Sequence, residues 1–257
     1  MSGLGCLVLA SLCAAVTATR GAGLETGPRA GPPGMLSVAA AAEPAPATDS
    51  RCVSRSEEET YAPLDPVNQA PYPTATTGED AHPEEINVVN GHDEAENLDW
   101  GHGQGYVHAP ISAVWAALQD KDVVADRRQL TSGTLLDTEP PPGATFGFTL
   151  QCVTNSSPSV TYVQQWRSRA TRGTAAEPRT VVVRDDLAQQ PKVLGITVIT
   201  TLSDSIVLEP VDDDTTSISI IRHVAAAQSD PKRAGKYVSD LFNSVVANVH
   251  GSPLPTY

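Results

Sequence analysis

The clearest pattern in this chain lies near its C-terminus, where Ala234, Tyr237, Val238, Leu241, Phe242, Val245, Val246 and Val249 recur at steps of three and four. Residues spaced in that way share one side of an α-helix. Ser229-Asp230-Pro231 supplies a cap and a proline suited to the first helical position, and His250 with Gly251 supplies a stop. A helix of about 20 residues is therefore predicted here, with an aliphatic face that needs a sheet or another helix to cover it. A shorter helix opens at Ala109-Pro110, with Ile111, Val114, Trp115 and Leu118 on one side, and continues past Asp120 into a short piece over 123–128. Gly101 to His108 reads as a strand entering that helix, although glycines at 101, 103 and 105 put its straightness in doubt.

Between the helices the period changes from three or four to two. Residues 145–154, 160–169, 179–184, 196–211 and 215–225 are β-rich runs, and Leu135 and Leu136 add a short strand. Turn material separates them, including Pro140-Pro141-Pro142-Gly143, Asn155-Ser156-Ser157-Pro158 and the aspartates at 212–214. Short strands joined by hairpin-length connections imply an antiparallel sheet, and the long helix is its natural cover. The fold class is α+β, with about six or seven strands, two short helices after the first strand and one long helix at the end.

Ahead of this, composition changes the picture. Ten prolines fall between Pro28 and Pro83 with almost no periodic apolar pattern, so residues 19–98 read as an acidic, disordered Pro/Ala-rich linker before a domain at 99–251 and a tail at 252–257. The end of the linker is open, because Ile86, Val88 and Val89 could make a short strand or pack against the domain. The net charge of −13 divides into −11 over residues 1–100 and −2 over the rest, which argues against nucleic-acid binding and against a polybasic membrane anchor. Leu4 to Val16 is an uncharged apolar run that suits a signal-peptide core over residues 1–18 and is too short to span a bilayer. That reading predicts export to the periplasm or the outside of the cell. A lipid anchor at Cys13 is an alternative, and a cytoplasmic protein follows if the run is not a signal. Cleavage after Ala18 would leave Cys52 and Cys152, either as a disulfide or as two thiols.

The order of strand, two short helices, strands and long helix, with GYVHAPISAVWAALQDKDVV at its opening and DPKRAGKYVSDLFNSVVANV at its close, resembles the helix-grip or START-like (SRPBCC) superfamily over residues 99–251. The resemblance implies a curved sheet that wraps the terminal helix and leaves an apolar cavity between them. It also implies binding of a lipid-like, polyketide or aromatic small molecule.

No nucleophile elbow, phosphate loop, dinucleotide fingerprint or HExxH helix is present, and no catalytic residue or cofactor is assigned. Binding is favoured over a cyclase- or hydratase-type enzyme, and a filled-core domain acting through its surface is a third reading. His92, His102 and His108 with nearby acids invite a metal hypothesis, but a solvated acidic segment explains them better and no metal site is assigned. The expected cavity lining is Phe148, Tyr162, Trp166, His223, Tyr237, Leu241 and Val245. Arg222 and His223 are neighbours in one strand, so at most one of them can point inward. The expected partner is thus an apolar small molecule, with no nucleic acid, no transmembrane helix and no stated oligomeric order.

Overall fold

The computed structural model describes residues 60–75, 80–227 and 229–257. The signal-peptide reading, the lipid-anchor alternative at Cys13, Cys52 and the linker before Thr60 lie outside the described residues.

Eight strands form one antiparallel sheet. In chain order they are β1 (Ile86–Asp93), β2 (Leu98–Val107), β3 (Leu130–Asp137), β4 (Phe146–Thr154), β5 (Thr161–Gly173), β6 (Pro178–Gln189), β9 (Ile199–Pro210) and β10 (Thr216–Ala226), while β7 (Lys192–Val193) and β8 (Ile196–Thr197) make a separate small hairpin. The spatial order is β1-β2-β10-β9-β6-β5-β4-β3. The chain ends of the sheet therefore meet in its interior, where β2 pairs with β10 in the register Gly101↔Arg222 and Gly105↔Ile218. Two short helices, α1 (Ile111–Ala117) and α2 (Lys121–Val124), follow β2, and α3 (Pro231–Val249) closes the domain.

The long helix forms as its pattern predicts. The Asp230 carboxylate accepts from the Lys232 amide, Pro231 takes the first turn, and Ala234, Tyr237, Val238, Leu241, Phe242 and Val245 are buried. Its seat depends on the glycines of β2. A Cβ on Gly101 would stand 2.7 Å from the Ala234 carbonyl carbon, and one on Gly103 would stand 2.5 Å from Val238 Cγ1. Alternate glycines thus remove a row of side chains from the face that meets α3, letting helix backbone lie directly on strand. The same residues that cast doubt on a strand here are the reason the helix can lie on it.

The ordered fold begins earlier than Asp99. Residues 86–93 pair along the whole of β2, from Ile86↔Gly105 to Asp93↔Leu98, so the sheet has eight strands and the short helices follow its second strand. Residues 60–75 run across the face of the sheet opposite α3. There Arg184 Nη1 donates to the Ala62 carbonyl at 2.7 Å, the Leu64 amide to Ser205 Oγ at 3.1 Å, and the Ala70 amide to His102 Nδ1 at 2.9 Å. Tyr61 is buried beneath the Arg169 guanidinium, 4.4 Å from its ring centroid. A proline-rich segment with no apolar period is held here by bonds to its backbone, which periodicity cannot reveal. The C-terminal tail is also tied down, since Arg127 Nη1 donates to the Pro255 carbonyl at 2.7 Å and Arg128 lies over the Tyr257 ring at 4.6 Å.

Candidate ligand site

Between the sheet and the start of α3 lies a cavity of about 90 Å3. Ile199, Leu202 and Val224 give it apolar wall, and Asp126, Tyr162 and Arg222 give it a polar floor. Strand parity explains how charge arrives there. On β9, Leu202, Asp204, Ile206 and Leu208 share the helix-facing side, and on β6 Val181, Val183 and Asp185 do the same. Each strand therefore places one aspartate inside an otherwise aliphatic row, and the register sets Asp185 opposite Asp204.

Arg222 on β10 is buried among these acids. Its guanidinium reaches Asp204 Oδ2 at 3.5 Å and Asp126 Oδ2 at 3.7 Å, and it stacks on the Tyr237 ring with 3.6 Å to the centroid. Both ion-pair distances are long for charge-assisted bonds. One oxygen of Asp185 and one of Asp204 are buried with no hydrogen-bond partner. The other Asp185 oxygen accepts from Gln164 Nε2, and Gln164 Oε1 in turn accepts from Cys152 Sγ at 3.1 Å.

The electrostatics follow from burial. Desolvation raises the Asp126, Asp185 and Asp204 carboxyls, Asp185 further through the neighbouring Asp204 charge, while Arg222 opposes the rise at all three; Asp204 is carried to about 6. Burial works against the charge on Arg222, but Asp204, Tyr237 and Asp126 outweigh it and hold the guanidinium more firmly protonated than usual. Burial likewise pushes the Cys152 thiol up to about 12, with Asp185 adding to it. Such a thiol is an inert core group.

Of the expected lining residues, Tyr162 lines the cavity. Phe148, Trp166, Tyr237, Leu241 and Val245 belong to the packed hydrophobic core, with Phe148 and Trp166 stacked 6.1 Å apart. The Tyr237 hydroxyl finds its partner in the Val124 carbonyl at 3.2 Å. His223 does not face this interior. It pairs with Ser203 and Trp100 on the opposite side of the sheet, because the inward position belongs to Arg222. The three acids were missed by sequence reasoning that looked for apolar inward positions; for Asp185 and Asp204 the signal available was a lone aspartate at the inward parity of an aliphatic strand, while Asp126, in the connection between α2 and β3, offered none.

The histidines considered for metal are used separately. His92 Nδ1 lies 2.7 Å from Asp99 Oδ1, His102 bonds the 60–75 segment, and His108 Nε2 lies 2.8 Å from Asp80 Oδ2. Among the described residues no three His, Cys, Asp or Glu side chains converge as a metal site would require. Cys152 is buried and free, and its possible partner Cys52 lies outside the described residues.

No protein-family model and no curated protein sequence matches the chain. Among solved structures it is similar to the human StarD13 lipid transfer and protein localization domain (14% identity, TM-score 0.45, 80% of this chain and 96% of that one). It is also similar to the STAR-related lipid transfer protein of Xanthomonas axonopodis (18%, 0.46, 68% and 95%) and to human StAR-related lipid transfer protein 5 (11%, 0.47, 66% and 84%). The antiparallel sheet closed by β2 against β10, the two short helices after β2 and the terminal helix seated on that pair make this a START-like helix-grip fold.

Proposed function

We propose that the domain binds a small amphiphilic molecule at the cavity beside the start of α3, apolar body against Ile199, Leu202 and Val224, polar end toward Arg222 and Asp126. The observation that carries this reading is the unfinished bonding of the floor. Arg222 on that floor is a buried cation held by two long ion pairs, and the unpartnered oxygens of Asp185 and Asp204 belong to the same charge cluster although those residues do not line the cavity; so loosely held a cation is a poor way to stabilise a core and a suitable way to orient a ligand. The enclosed volume is well below the roughly 300–1,000 Å3 of sites that surround a whole drug-sized molecule. It suits one ring or one head group, with the rest of a larger ligand lying across the mouth.

Native mass spectrometry of the purified full chain should find a co-purified small molecule, and the fluorophore aminoanthracene should bind saturably. Val224→Trp, which fills the mouth, should weaken that binding by about tenfold, equivalent to about 1.4 kcal/mol. A chain that carries no bound mass and takes up no aminoanthracene would leave the filled-core reading.

A second reading, an enzyme of the cyclase or hydratase kind, is favoured by one observation: Asp126 lines the cavity with a carboxyl raised by burial, the condition for a general acid. The two readings separate on whether the parent chain converts the molecule it holds: an enzyme does and Asp126→Asn stops the conversion, whereas a binding module returns the molecule unaltered and Asp126→Asn changes only its affinity. Export is proposed alongside, and amino-terminal sequencing of the mature protein should find a start near Thr19.

A further inference from the structure

Three histidines help to hold the residues that precede β1, and they do so by opposite chemistry. His108 Nε2 lies 2.8 Å from Asp80 Oδ2 and 2.9 Å from the His82 carbonyl, and His250 Nε2 lies 2.9 Å from Glu84 Oε1. A proton added to either ring faces an acid, so acidification tightens the hold on residues 80–84. His102 is different. Its Nδ1 accepts from the Ala70 amide at 2.9 Å, and its Nε2 lies 3.1 Å from Ser219 Oγ. A backbone amide can only donate, so Nδ1 carries no proton and the ring is the neutral tautomer with its hydrogen on Nε2. That ring is 1% exposed.

The surroundings of His102 offer a charge no counterpart. Its neighbours across the sheet are Val89 on β1 and Ile221 on β10. The titratable groups that share its face are Asp93 on β1, Tyr106 on β2, His223 on β10, and Asp65 and Tyr72 of the segment above it, and among the described residues none of them is bonded to the ring. Burial holds His102 below its ordinary value of 6.5, with the Asn68 carbonyl of the same segment opposing more weakly. The other bonds to this segment are of another kind. Arg184 and Ser205 reach Ala62 and Leu64 without a titrating acceptor, so they hold the far end at any pH near neutral.

We propose that His102 is a pH-sensitive latch on residues 60–75: a proton taken up at Nδ1 sets one N–H against another, the Ala70 bond is lost, and the segment lifts from the sheet at that end while residues 80–84 stay anchored as its root. The sign follows from the two states of the ring. Open, it titrates at the ordinary 6.5; closed, it titrates lower, so the hold is complete above about pH 6.5 and weakens as pH falls. One proton taken up on opening raises the opening constant by about tenfold between pH 7.5 and 5.5. This is the reverse of the sign that the raised carboxyls of the chamber give to the core. The latch lies on the opposite face of the sheet and does not depend on occupancy of the cavity.

The test is hydrogen exchange on the full chain, with each rate divided by the intrinsic rate of that amide at the same pH. Between pH 7.5 and 5.5 the protection of the Ala70 amide should fall about tenfold, while the strand amides of β1 keep theirs, which separates release of the segment from acid unfolding. His102→Gln keeps an acceptor for Ala70 and a donor for Ser219 at every pH, so its Ala70 protection should be flat across the range. Nitrogen-15 shifts of the histidine rings give a reading that needs no variant: His102 should show the Nε2–H tautomer at pH 7.5 and lose it over the same range in which Ala70 loses protection. Ala70 protection that ignores pH in the parent, a fall equally large in His102→Gln, or a His102 ring that gains its proton while Ala70 stays protected would each overturn the proposal.

Discussion

The interior between sheet and α3 has two unlike halves. Around α1 it is a sealed apolar core, in which Val114, Trp115, Phe148 and Trp166 are packed and the Trp115 ring nitrogen donates to Ser168 Oγ at 2.9 Å. At the start of α3 it is a charged chamber, where Arg222 pairs with Asp126 and Asp204 at long distances, Asp185 stands opposite Asp204, and two carboxyl oxygens have no partner. The first half derives its stability from many interchangeable contacts, each worth little. In the second a single cation balances the acids, so its loss is felt at once and its presence adds little net stability. A protein selected for stability alone would be expected to extend the first arrangement into the second; retention of the charged one points to a task other than folding.

Removing Arg222 should have the largest effect. Arg222→Met keeps the volume and leaves three buried acids without their counter-charge, and it should cost about 3–5 kcal/mol in urea unfolding at neutral pH. If it proves neutral, the acids hold protons without help and the chamber is less charged than its composition implies. In the apolar half, Leu241→Ala should cost about 3 kcal/mol within the usual 2–5, because Leu241 is 2% exposed and packed in the core away from the cavity. A cost well under 2 would mean that empty space reaches this far along α3, and the two halves would merge.

A smaller effect should distinguish the halves by pH. The Asp204 carboxyl holds its proton to about 6 in the folded chain against an ordinary value of 3.8. Its contribution to stability is therefore complete below about pH 4 and is lost as pH rises through 6, because the unfolded chain releases that proton first. The loss amounts to about 2–3 kcal/mol, to which Asp126 and Asp185 add in the same direction. Unfolding midpoints measured from pH 4 to 7 should fall across this window in the parent and fall less in Asp204→Asn. At neutral pH, Asp204→Asn should itself be stabilising by about 1 kcal/mol, the smallest of these effects. A midpoint that rises from pH 4 to 6 would reverse the assignment of raised carboxyls.

Much of this architecture was legible along the chain because it is local. The period of α3, its Asp230 cap and its Gly251 stop all act within a few residues, and so do the alternation and turns that mark the strands of the sheet. Parity also carried the decision that Arg222 and His223 face opposite ways. What it could not carry was which of the two faces inward, since that depends on the register in which β10 lies between β2 and β9. The same holds for the glycines at 101, 103 and 105. In isolation they weaken a strand, and only the approach of α3 turns them into a seat. Residues 60–75 show the limit most plainly: their composition lacks any apolar period, yet Arg184, Ser205 and His102 bind their backbone from strands far away in sequence. Local periodicity determines which elements form, because hydrogen bonding and apolar spacing act over one or two turns. Asp126, Asp185, Asp204 and Arg222 come from three strands and the connection after α2, and only the folded sheet with α3 upon it brings their charges within reach of one another.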